Sequence, residues 1–293
     1  MASLREIKDR IGSVRSTLKI TSAMKLVASA KLRKAQKAIE GMRPYERTLA
    51  EILAALPAAE PSPSGNAAAV TVGPTAIVAI ASNSSLCGGF NANVIRKTLE
   101  TIRACEGEVE VFPLGRKMTE ALRRNGFPGV KDYNDLIGHP SYEKSAALAR
   151  ELAGRYQAGE LARVVLVYNH FAAAASQVPT VEQYLPFTEI PGQARDDTSS
   201  SSAGVTGGSP AEDYILEPDA ETLVRQLLPQ VLMLKFHAAI LDSAAAEHAA
   251  RTIAMQTASD NAEDLLGELT LEYNKGRQQK ITAEILDLLG GAQ

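Results

Sequence analysis

Both ends of this 293-residue chain carry helix-period stripes too long to fit inside a globule of that size. From Leu4 an apolar residue recurs at alternating steps of three and four: Leu4, Ile7, Ile11, Val14, Leu18, Ala28, Leu32, Ala35, Ile39, Met42, Leu49, Leu53 and Leu56. Thirteen of the sixteen stripe positions are apolar, Thr21, Lys25 and Glu46 being the exceptions, so the period is that of a coiled coil. Only Gly12, Gly41 and Pro44 interrupt it. A helix over 3–56 is about 80 Å long at about 1.5 Å per residue, while a compact chain of this length is only about 40 to 50 Å across. The rod must project.

A second stripe runs from the region of Pro218 to Leu289, with one proline, Pro229, placed as a kink near its start. Leu234, Ala238, Leu241, Ala245, Met255, Ala262, Leu266, Leu269 and Tyr273 keep the three-four spacing, and Ala244 to Ala246, Ala249 and Ala250 allow close approach midway. Helices at both ends of one chain pair most economically as an antiparallel rod with a compact domain attached. The predicted fold is therefore mixed α+β, a long antiparallel coiled coil of N- and C-terminal helices plus a central Rossmann-like α/β domain. Its expected divisions are a rod helix over 1–57, an α/β domain over 68–190, a Ser/Gly-rich loop over 191–213 and a second rod helix over 214–293.

The central grammar is different. Strands are expected at 76–81, 109–113 and 163–169, helices at 91–104, 116–125 and 142–156, and an edge strand at 177–187. Alternating strands and helices predict a small parallel sheet. The tract 192–213, rich in Ser, Gly, Asp and Thr, has little to bury and reads as a linker.

Charge is unevenly spread. Residues 1–47 hold twelve basic and four acidic side chains, a local excess of eight positive charges in a chain whose net charge is −3. The C-terminal region is acidic, so the two helices attract each other and the outer flank of the first seeks acidic partners. Nucleic acid is a poor fit, because no stacking aromatics accompany the basic residues. Cys87 and Cys105 read as two thiols of a reducing compartment, and no apolar run approaches the length of a membrane span.

One turn invites a chemical reading. SNSSLCGGFNAN, over 82–93, joins a strand to a helix, the place where a doubly wound fold binds phosphate. It lacks G-x-G-x-x-G spacing and a P-loop Lys-Ser/Thr pair, so Leu86, Cys87, Gly88 and Gly89 are expected to form a structural turn. His139, His170, His237 and His248 have no metal-ligand spacing. No catalytic residue, metal site or cofactor is expected.

Several segments resemble a known family. SLREIKDRIGSVRSTLKITSAMKLVASAKLRKAQ, LCGGFN, GRK at Gly115 to Lys117, VYNHF at Val167 to Phe171, EHAARTIAMQTASDNAEDL and LTLEYNKGRQQKITAEILDLLGG are similar to the gamma subunit of the rotary ATP synthase, bacterial type. The resemblance implies a non-catalytic central rotor shaft that couples transmembrane proton flow to ATP synthesis or hydrolysis. The implied partners are the alpha and beta subunits of a catalytic hexamer, the epsilon subunit and the membrane rotor ring of c subunits. The implied location is peripheral, at the cytoplasmic face of the bacterial inner membrane. It places beta-subunit contacts at Met24, Lys25, Arg277, Gln278 and Thr282, and it makes Ile281, Ile285, Leu288 and Leu289 an apolar tip in a hexamer bearing. The interruption of the stripe at Thr21 and Lys25 is expected to loosen the rod there and turn it outward.

Two departures stand out: Asn83, Ser84 and Ser85 replace the family's usual Asp-Arg-Gly, and 192–213 is longer than the family pattern. Two other classes remain open, a structural coiled-coil adaptor and a nucleotide-binding α/β protein. The adaptor needs no α/β domain, and the nucleotide reading needs the Gly88–Gly89 turn to hold phosphate.

Overall fold

The computed structural model describes residues 3–55, 73–127, 133–173, 176–187 and 219–290. Leu56 and the tract 192–213 lie outside the described residues, as do the side chains of Glu46, Leu53, Leu288 and Leu289. Two long helices dominate: α1 (Leu4–Ala55) has 52 residues and α6 (Ala220–Gly290) has 71. At about 1.5 Å per residue they extend about 78 and 107 Å. Each starts on a side-chain cap. Ser3 Oγ accepts the Glu6 N–H (3.2 Å) while Glu6 Oε2 accepts the Ser3 N–H (2.9 Å), a reciprocal capping box. Asp219 Oδ1 accepts the Thr222 N–H at 2.8 Å. Both helices continue through their internal prolines, Pro44 and Pro229.

The helices run antiparallel in constant register. A Cβ added at Gly276 would lie 3.1 Å from Leu4 Cδ2, Thr21 bonds Ser259, and Leu49 packs with Val231. Seventeen residues on from Leu4 is Thr21, and seventeen back from Gly276 is Ser259. A further twenty-eight in each direction lead to Leu49 and Val231, so the register never slips. On α1 the buried side of the seam follows a strict seven-residue step: Ile7, Thr21, Ala28, Ala35 and Leu49 are buried, and Val14 and Met42 are half-buried. A seven-residue period imposes a left-handed supercoil.

Thr21 corrects the expectation of a loosened rod. It is 8% exposed and its Oγ1 lies 2.8 Å from Ser259 Oγ, so the seam closes there by a hydrogen bond instead of opening. Lys25 is half-buried at the next seam position. A stripe scored by apolar residues alone cannot register a hydroxyl pair made across two helices.

The rest of the chain builds a four-stranded sheet in the order β2-β1-β3-β4 from β1 (Thr75–Ile80), β2 (Val109–Leu114), β3 (Arg163–Ala173) and β4 (Ser176–Leu185). The first three strands are mutually parallel, and β4 is antiparallel to β3. The expected parallel sheet is therefore mixed, because a hairpin adds its edge. Strand period two sends Ala76, Val78 and Ile80 to one face and Ile77, Ala79 and Ala81 to the other. The second face is covered by α2 (Phe90–Ala104) and α3 (Arg116–Arg124) through Val94, Met118 and Leu122. Covering the first are α5 (Tyr142–Gln157) and α6 itself, through Leu152, Leu232, Phe236 and Ile240. A short turn of helix, α4 (Asp135–Gly138), escaped the sequence reading; its Leu136 packs on the same face. α6 thus serves as domain core at its start and rod thereafter.

Polar ties reinforce that union. Tyr184 O–H donates to the Leu232 carbonyl at 2.9 Å, and burial pushes its phenol well above the usual tyrosine range. Lys235 Nζ meets Glu182 at 2.7 Å, and Asp242 accepts the Phe171 N–H at 3.2 Å while lying 2.6 Å from His170 Nδ1. Ser145 Oγ lies 2.8 Å from His237 Nδ1.

Gly115, at the turn from β2 into α3, has φ +103°, and a Cβ there would stand 2.1 Å from the Ala81 carbonyl oxygen. Gly115→Ala is expected to destabilise the chain by about 3 kcal/mol or more, since neither backbone can yield. Gly41→Ala meets nothing within 4 Å and is expected to stabilise it by about 0.5 to 1 kcal/mol. Chemical denaturation of the two variants beside wild type checks both signs.

Candidate functional site

The turn between β1 and α2 is held by its own side chains. Ser82 N–H donates to Asn91 Oδ1 at 3.1 Å, and Asn91 Nδ2 donates to the Ser84 carbonyl at 3.2 Å and to Cys87 Sγ at 3.1 Å. The Asn91 side chain therefore ties the end of β1 to the turn through its own hydrogen bonds. Leu86 and Gly88 both take left-handed backbone, at φ 66° and 57°. Cys87 is buried with Phe90 against Ala246 and Ala250, and Phe171 packs beside them. Leu86 itself is 58% exposed.

The same turn is held to α6 by a charge. Arg251 Nη2 donates to Ser84 Oγ at 2.8 Å and to the Ser85 carbonyl at 3.3 Å, and it pairs with Glu247 at 2.9 Å. Asn83 Nδ2 donates to the Asn134 carbonyl, and its Oδ1 accepts the Arg116 N–H, both at 2.9 Å. The three residues that depart from the family pattern are thus structural here, satisfied from three different elements.

Five sequence-predicted contact residues fall at two separate levels of the rod. Met24 and Lys25 are half-buried beside the Thr21–Ser259 pair. Arg277, Gln278 and Thr282 are exposed near the far end of α6, where Thr282 Oγ1 donates to the Gln278 carbonyl at 2.9 Å. In the constant register Met24 stands level with Gln256, so the two groups lie about 30 Å apart along the axis. They cannot meet one partner loop together.

Gly276 lies level with Leu4, and the fourteen residues of α6 beyond it extend past the described residues of α1. That is about 21 Å of helix. Ile281, Ile285 and Leu286 on it are 47%, 52% and 61% exposed. The rod also bares apolar residues off the seam: Ile20, Leu26 and Val27 on α1, and Ile253, Leu265 and Leu271 on α6. Sequence reasoning passed over these, although apolar side chains outside the heptad positions were the available signal. In the fixed register Val27 and Ile253 share one level of the rod.

Where the rod meets the domain, α6 carries buried ionisable groups. Burial pushes the Asp242 and Glu247 carboxyls above the usual range, opposed by His170 and by Arg251 with Lys31 respectively. Burial first, then the charges of Lys31 and Arg251, hold His248 down to about 4. Lys31 is on α1, so the basic first helix does sit against an acidic group of the second. Among the described residues no group of three His, Cys, Asp or Glu side chains is placed to hold a metal ion, and no helix is long and apolar enough to cross a membrane.

A family profile described as ATP synthase matches residues 3–293. The chain is 48% identical over 297 aligned residues to the ATP synthase gamma chain of Bacteroides thetaiotaomicron, covering all of this chain and 99% of the relative. The chain belongs to the ATP synthase gamma chain family. The gamma chain of Flavobacterium johnsoniae is 41% identical with the same coverage. Among solved structures, a chain of the Euglena gracilis mitochondrial ATP synthase, from its OSCP/F1/c-ring structure in rotational state 3, shares the fold. Its TM-score is 0.67 at 21% identity, over 99% of this chain and 93% of that one.

The buried histidine gives the gamma chain a pH signature. A histidine held low in the fold favours its neutral form, so its contribution to stability is complete above about pH 6.5 and is lost as pH falls toward about 4. Asp242 and Glu247 act in the opposite sense, because protonation relieves a buried charge. His248→Gln isolates the histidine. Urea denaturation at about pH 7 and about pH 4 is expected to show wild type losing about 1 to 2 kcal/mol more than the variant, discounting for the partial exposure of the ring.

Proposed function

We propose that this gamma chain is the central rotor shaft of its ATP synthase, turning inside a hexamer of alpha and beta subunits and coupling proton flow to ATP synthesis or hydrolysis. The observation that carries the reading is the end of α6: about 21 Å of helix, exposing Ile281, Ile285 and Leu286, that none of the described residues of α1 reaches. Apolar side chains clustered on an exposed helix gain free energy when another surface receives them, and apolar attraction has no preferred direction. A collar around such a tip would hold it while letting it turn. Leu288 and Leu289 continue that tip in the proposal.

The two levels of polar contact then have separate tasks. Arg277, Gln278 and Thr282, just below the tip, present a guanidinium, an amide and a hydroxyl to carboxylates and backbone on a beta subunit. Met24 and Lys25, about 30 Å away, meet beta loops at a second level, within the apolar band of Ile20 and Val27. A contact made with one beta subunit and not the next shifts that subunit's conformational equilibrium by the difference, which is how an asymmetric shaft drives a symmetric ring. At the opposite end the α/β domain would face the epsilon subunit and the c-ring, peripherally at the cytoplasmic face of the bacterial inner membrane. A structural adaptor would leave turnover of an enzyme insensitive to these residues.

The test is a pair of substitutions at one position, read in the assembled complex. Met24→Lys adds a second cation beside Lys25 and deepens one rotary state over the others, so coupled ATP synthesis is expected to fall by about three- to tenfold with assembly intact. Met24→Leu keeps the volume and is expected to stay within about twofold of wild type. Equal losses in both, or unimpaired synthesis in Met24→Lys, contradict the contact.

A further inference from the structure

We infer that the hydroxyl pair Thr21–Ser259 is a positioning device that fixes the register of the two rod helices. Both residues are at least nine-tenths buried in a stretch of seam whose other fully buried positions are apolar or small. The Thr21 hydroxyl is also within donating distance of the Leu18 carbonyl, at 3.1 Å, and either hydroxyl can donate across the seam. The contacts link Ser259, Thr21 and Leu18.

The layers nearest the pair constrain register only weakly, and the size-specific contacts, Leu4 on Gly276 and Leu49 with Val231 and Leu234, lie toward the two ends of the seam. Ala28, Ala35, Ala262 and Met255 are small or pliable, and their packing is tolerant of sliding. A slip of one heptad, about 10 Å along the axis, brings Ser259 opposite Val14 or Ala28 and Thr21 opposite Thr252 or Leu266. Ser259 then finds no side-chain partner across the seam. The mismatch disfavours each slipped register by roughly tenfold or more, as a single buried polar residue does in other coiled coils. Yet removing both hydroxyls together leaves no group orphaned, so the pair governs which register forms far more than how stable the rod is. The consequence for coupling rests on the shaft reading above: a heptad slip would carry Met24, Lys25 and the Ile20–Val27 band to a different height against the hexamer.

The experiment uses the full chain with Cys105→Ser and paired reporter cysteines. Leu4→Cys with Gly276→Cys reports the native register, and Leu4→Cys with Leu269→Cys reports a one-heptad slip. With Thr21 and Ser259 in place the native pair cross-links and the slipped pair does not. In Thr21→Val/Ser259→Ala the native cross-link is expected to fall by about fivefold or more and the slipped one to appear, with helix content by circular dichroism unchanged. Thr21→Ser, which keeps the hydroxyl, is expected to retain the wild-type pattern. If the double variant fails to fold, Ser259→Ala alone is read in the same way, since Thr21 keeps its bond to Leu18. An unchanged native cross-link in the folded variant overturns the inference. ATP-driven proton pumping by the reconstituted complex is the separate readout: a slipped register with full pumping leaves the pin standing and contradicts the shaft contacts.

Discussion

Everything in this molecule hangs on the seam between α1 and α6, a heptad contact that keeps one register from Leu4 against Gly276 to Leu49 against Val231. A helix of 52 residues has no reason to stay straight and separate from its domain unless a partner buries one stripe along its whole length. α6 supplies that stripe and is longer than α1, so the excess emerges as a tip. The bared end of α6 follows from that difference in length.

α6 also makes the domain and the rod one body. Its first third packs into the sheet through Leu232, Phe236 and Ile240, and polar bonds from β3, β4, α5 and the β1–α2 turn reach it at Leu232, Lys235, His237, Asp242 and Arg251. Several of these are charged bonds in low-exposure surroundings, where a bond is costly to leave unmade. A twist applied to the α/β domain therefore passes into α6 without an intervening hinge, and α1 follows through the seam. Such a joint suits a part that transmits torque.

How much of this was legible in the sequence depends on whether the signal was periodic. The three-four stripes named both rod helices, and the β-branched runs named the first three strands within a few residues, because one-dimensional spacing reports a buried face. The edge strand's direction was not legible, since the Phe171 to Gln177 hairpin carries no distinctive turn pair. Nor was the double role of α6, because Phe236 and Ile240 look alike whether they meet a sheet or another helix. Thr21 was misread as an opening in the rod: a polar residue in a stripe signals weakness until its partner 238 residues away is known. Arg277, Gln278 and Thr282 were identified by resemblance to a family, and their spacing alone carries no such signal. The structure adds that they lie beyond the level of Leu4.

In the proposed function this chain turns as a rigid shaft within a ring of other subunits. The most direct measurement immobilises the assembled complex by its hexamer and follows a probe attached through Arg96→Cys, on the exposed face of α2, while ATP is hydrolysed. A rigid shaft is expected to give stepwise rotation in one direction that stops when ATP is withdrawn. A probe that stays fixed during hydrolysis, or that wanders equally in both directions, would contradict it.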